Sequence, residues 1–250
     1  MMDNRKPQNG GRPAPLVRPL AAALAGVLLA ASPAAAQQAS SGHHHGAGDH
    51  AGDVVPGGAI QLSPHLRATP PRPATAADSA RAKAITDSLW RSIQKYQDVR
   101  AAGADGYTRF NPERRQRVVH FNKSSNAARN EAGFDPGRPT SLLYRRAPGG
   151  KLVLTGAMYT APVTATLEEL NARVPLGIAQ WHLHTNVCTP KRGENARWSE
   201  TRDGKPVFGP QGGIATQEAC DAIGGQFRET EFNWMVHVDF KPDGTVSWAH

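Results

Sequence analysis

Gln180-Trp181-His182-Leu183-His184-Thr185-Asn186-Val187-Cys188 holds the densest set of chemically capable side chains in the chain. Side chains alternate across a strand with period two, so a strand here sets Trp181 and Leu183 on one face and Gln180, His182 and His184 on the other. Residues 232–240 repeat the pattern. Phe232, Trp234, Val236, Val238 and Phe240 make an apolar face, and Asn233, Met235, His237 and Asp239 make the opposite one. Where the two polar faces meet, His182, His184 and His237 form either a metal site or an acid/base cluster.

Two imidazoles at i and i+2 on a strand, joined by one from a neighbouring strand, present three nitrogens to a single ion, a set suited to zinc or copper. A fourth position left to water gives Lewis-acid chemistry or an activated hydroxide, hence a metal-dependent enzyme. His120, Met235 or Asp239 fill or support that position in the closed alternative. His120 belongs to Val118-Val119-His120-Phe121, a strand on which it faces away from Val119 and Phe121. Met235 shares its face with His237, and a thioether ligand selects copper. The metal-free alternative is a polar pocket whose histidines are hydrogen-bonded or bind an organic ligand or another envelope protein.

Cys188 and Cys220 are the two cysteines of the chain. In an oxidising compartment they are expected to pair, closing a loop of about 30 residues worth roughly 3–4 kcal/mol. The rival role is a thiolate ligand at Cys188 beside His184. Export is read from the first residues. Arg5, Lys6, Arg12 and Arg18 precede an apolar run over residues 20–31, then Ser32-Pro33 and the small-residue site Ala34-Ala35-Ala36. That order is a secretory signal peptide over residues 1–36, and an apolar run of about a dozen residues is too short to cross a bilayer core. A periplasmic or secreted protein without a stable membrane span is expected after cleavage.

Cleavage there takes the formal net charge from +8 to about +5. Lys and Arg are dispersed, with one tight run at Arg114-Arg115-Gln116-Arg117, and no aromatic residues interleave with them as in single-strand nucleic-acid grooves. A metal ion or a small molecule is the expected partner, not nucleic acid. Residues 37–74 are rich in Ala, Gly, Pro, Ser and His and poor in large apolar side chains, which reads as a disordered arm. Within it His43, His44, His45 and His50 are either incidental or a weak collector of metal ions.

Residues 75–250 read as a single α+β domain with a mostly antiparallel sheet, a long leading helix and short peripheral helices. Thr75 and Asp78 cap that helix, and Ala82, Ile85, Leu89, Ile93 and Tyr96 follow at helical spacing. Ala147-Pro148-Gly149-Gly150 joins two antiparallel strands, Thr166 with Glu169 forms a second capping box, and Thr216 caps a helix carrying Cys220. Residues 189–213 form a long loop that is either a lid over the site or unstructured. No Gly-x-Ser-x-Gly elbow, phosphate-binding Gly-rich loop or His-Glu-x-x-His helix occurs.

Phe134-Asp135-Pro136, Arg138-Pro139-Thr140-Ser141-Leu142-Leu143-Tyr144, Gly150-Lys151-Leu152, Gly156-Ala157-Met158-Tyr159, Trp181-His182-Leu183-His184 and Trp234-Met235-Val236-His237 form a signature across most of residues 75–240. Together they resemble a family of exported bacterial proteins that brings no established activity. The resemblance implies export and one undivided domain. The His182-x-His184 pair also resembles a cupin metal strand, but Thr185, Asn186, Val187 and Cys188 stand where a cupin places its glutamate.

Overall fold

Alternation of apolar and polar residues along the strands makes one face of the sheet a core and leaves the other open. A computed structural model of the chain describes residues 58–249 apart from 113 and 115. The expected signal peptide and the arm histidines His43, His44, His45 and His50 lie outside those residues.

The described part begins with a hairpin, β1 (Ile60–Ser63) and β2 (Leu66–Ala68), inside the stretch expected to be a disordered arm. Composition misleads there because the hairpin draws its order from the rest of the sheet: Leu66 pairs with His184 and Ala68 with His182. Thr75 then starts α1 (Ala76–Ile93). Its hydroxyl accepts from the Asp78 N–H at 3.0 Å, and the Asp78 carboxylate accepts from the Thr75 N–H at 3.1 Å. Ile85, Leu89 and Ile93 make the buried stripe, each contributing about 1.5–3 kcal/mol of burial. Tyr96 continues the burial on a 3₁₀ turn, after which Asp98 caps a separate short helix, α2 (Val99–Ala104).

The chain continues through β3 (Thr108–Arg109), β4 (Val118–Asn122) and α3 (Ser124–Ala132), which Lys123 precedes without a side-chain cap. Next come β5 (Ser141–Arg146), β6 (Leu152–Ala161), α4 (Leu167–Arg173) and β7 (His182–Thr189). Thr166 and Glu169 cap α4 reciprocally, as their spacing suggests. After β7 a small hairpin, β8 (Thr201–Arg202) with β9 (Lys205–Pro206), stands apart from the main sheet. Thr216 caps α5 (Gln217–Ala222), and β10 (Gln226–Phe240) and β11 (Val246–Ala249) close the fold.

All pairing in the main sheet is antiparallel, in the order β1-β2-β7-β10-β6-β5-β4-β3, and the path is open rather than a closed barrel. At 15 residues β10 is its spine. Its first half pairs with β7, its second half with β6, and β11 takes over the edge that β7 leaves. Trp181, Trp234, Val236, Val238, Tyr144, Tyr159 and Val119 form the core face under α1. The buried tyrosine hydroxyls are satisfied, with Tyr144 donating to Tyr96 O and Tyr159 to Pro136 O, both at 2.7 Å.

The long loop after β7 is ordered. The Cys188–Cys220 disulfide ties β7 to α5, and Val207 and Phe208 bury against it with Trp198 and Phe227 alongside. Gly225 is required there, because a Cβ would lie 2.4 Å from the Cys188 sulfur. Pairing with Cys220 removes Cys188 from the candidate thiolate ligands.

Candidate functional site

The face of the sheet opposite α1 forms a trough of about 900 Å³. Strand alternation brings His184 from β7, His237 from β10 and His120 from β4 into its lining. His182, 1% exposed, lies deeper, between the first two. Its ring centroid is 5.5 Å from His184 and 5.2 Å from His237, and His237 is 5.8 Å from His120. All four histidines expected to be ligands thus stand in one chain of ring contacts.

Curvature accounts for the last of these contacts. β10 and β4 are separated by β6 and β5, a distance of about 14 Å across a flat sheet. The approach of His120 to His237 shows that the sheet curls toward this face. At its base Leu143, Met158 and Met235 bury one another, with Val118 packed alongside. This apolar base withdraws solvent from the rings, and burial holds the His120 and His184 imidazoles below their ordinary pKa and so favours the neutral form. Met235 therefore serves the base of the trough by packing.

Sequence reading missed a fifth histidine. His65 sits at the β1–β2 turn and lines the trough beside His184. Its Nδ1 is 2.9 Å from Asn186 O, so Nδ1 carries the donated proton and a neutral ring keeps its lone pair on Nε2. Asn186, at φ +52°, also donates from Nδ2 to Pro64 O at 3.0 Å, while the Thr185 N–H donates to His65 O. One left-handed residue in the histidine strand thereby secures the turn. The only hint in the sequence was Asn186 itself, a residue type that tolerates this conformation.

β10 departs from simple alternation. His184 faces Glu231 and His182 faces Met235, so a bulge on β10 lies between the two pairs. Phe232 within it adopts φ +69°, which for a bulky residue costs on the order of 1–3 kcal/mol. Phe232 consequently leaves the core face expected for it. It is 46% exposed, lines the trough and meets Phe110 edge to face at 5.6 Å.

Carboxylates are few in the trough. Asp239 lies 3.6 Å from Arg145, and Glu231 3.8 Å from Arg228; burial raises the pKa of both acids. Glu194 and Glu200 pair with Arg197 on the outer loop and do not line the trough.

Chemically, the site offers imidazoles at a partly open surface, those of His120 and His184 held toward the neutral form. His184 Nδ1 is buried without a hydrogen-bond partner among the described residues. The rings are neighbours but their nitrogens do not converge: among the described residues no three or more His, Cys, Asp or Glu side chains surround a common point. No helix among the described residues is long and apolar enough to cross a membrane. Comparison with known proteins finds no matching family model, curated protein or solved structure.

Proposed function

We propose that the protein binds one transition-metal ion, zinc or copper, through His182, His184 and His237, in an extracytoplasmic compartment. The observation carrying this reading is the spacing of the rings, 5.5 and 5.2 Å about His182. Two imidazoles sharing a zinc ion at about 2.0–2.1 Å have centroids about 5 Å apart. The two pairs about His182 are thus already near the separation that a shared ion imposes. His184 and His237 line the trough, and His120 and His65 stand next to them as further donors. The disulfide and the signal-like start of the chain support the compartment.

The trough exceeds what an ion requires, and its volume favours a second reading in which an organic molecule binds there. An enzyme using the ion and a water on it would combine both.

Elemental mass spectrometry after dialysis tests the leading reading. The full chain is used with His43, His44, His45 and His50 changed to Ala, which removes the arm as an adventitious collector. About one equivalent of zinc or copper is expected, as for a three-histidine site. His182→Ala should lose it. Retention of the metal in a folded His182→Ala protein sinks the assignment.

A further inference from the structure

Two walls of the trough meet at Arg114. Its guanidinium carbon lies 5.6 Å from the Trp198 ring centroid, across from its own segment. It fills space left by Gly209, where a Cβ would stand 2.9 Å from Nη1. A guanidinium offers five N–H donors in a planar fork. Burial alone perturbs this one, lowering its pKa, with no carboxylate or hydrogen-bond acceptor among the described residues to offset it. Arg197, on the same outer loop, shows the contrast. Its guanidinium is occupied by Glu194, Glu200 and the carbonyls of Ile223 and Gly224.

In the lining that Arg114 shares, the bulge in β10 turns Phe232 outward against Phe110, at a cost in backbone strain. Strain of this sort persists where the surroundings over-determine it, and it clusters at ligand contacts. Arg117 adds a second positive charge to the same lining, whereas Arg145 already faces Asp239. The trough mouth thus combines a planar cationic fork, exposed aromatic surface and a positive balance.

We infer that the trough mouth is a binding site for a small aromatic carboxylate, with the carboxylate on the Arg114 fork and the ring against Phe232 and Phe110. The fork matches a carboxylate through two parallel hydrogen bonds. The ring gains offset or edge contacts with the two phenylalanines. None of the histidines is needed for this, so the site stands apart from the metal reading.

Calorimetric titration of the full chain, stripped of metal with EDTA, tests it with 2-naphthoate and its neutral isostere 2-naphthamide. Wild type should bind 2-naphthoate saturably and at least about tenfold tighter than the amide, the value of a charge-assisted pair. Arg114→Gln should weaken naphthoate about tenfold while leaving the amide unchanged. Phe232→Ala should weaken both, and Arg72→Gln, an exposed arginine outside the trough, should change neither. Arg114→Lys, which keeps the charge without the fork, replaces Arg114→Gln if circular dichroism shows the latter unfolded, and it should also bind naphthoate more weakly. Absence of saturable binding, equal affinity for acid and amide, or unchanged naphthoate affinity in a folded Arg114 variant overturns the inference.

Discussion

Gly156 shows how little space separates β6 from β10. A Cβ at this position would lie 2.0 Å from Val238 O, a backbone atom with no rotamer to yield. Gly156→Ala should therefore lower stability by at least about 2 kcal/mol, read as a shift of the urea midpoint at unchanged slope. A Gly133→Ala control, where nothing lies within 4 Å of the added atom, should shift it far less. At this scale the site was largely legible. Period-two alternation, which is local information, set His182 with His184, and His237 and His120 separately, on the polar faces of their own strands; that these faces meet comes from the sheet order. His65 and Arg114 were not legible. Each owes its position to a partner distant in sequence, Asn186 for the histidine and the Trp198 loop for the arginine.

Among the elements, the segment between β7 and β10 packs around a small cluster of its own, with Val207 and Phe208 against the Cys188–Cys220 disulfide. Cys188 and Cys220 are 32 residues apart, and loop closure on that scale stabilises by roughly 3–4 kcal/mol. Denaturation with and without a reductant should show a loss of that order. The reduced protein should also expose Trp198 and Phe208 to quenchers before the core tryptophans. Helix starts at Thr75, Thr166 and Thr216 were legible because a cap is a contact between residues about three apart. The β1–β2 hairpin was not, since its apolar content is too small to announce a strand and its stability comes from β7. The bulge that displaces Phe232 was also hidden, because its sequence alternates without interruption.

For the molecule as a whole, burying imidazoles sets a direction for pH dependence. His120 and His184 have folded-state pKa values below the ordinary 6.5. Stability is therefore fully present above about pH 6.5 and is lost as pH falls toward the lowered folded values, since the unfolded chain binds protons first. Glu231 and Asp239, which face the same trough, act in the opposite sense because their folded pKa values are raised. Arg145 and His65 also face it. Comparing wild type with His120→Gln/His184→Gln cancels these common contributions. The double variant should lose less stability between pH 7 and pH 5, measured by thermal unfolding; equal slopes would show that the rings are not buried as neutral groups. The sheet order carries one more consequence. β2 must wait for β7, and β6 for β10, so the histidines come from a turn and strands spread from residue 65 to residue 237. A chain still emerging from the ribosome holds them as isolated imidazoles with no shared pocket. The trough thus cannot be complete until residue 237 has joined the sheet, so a chain truncated before β10 carries His120 and His184 without the enclosure that lowers their basicity.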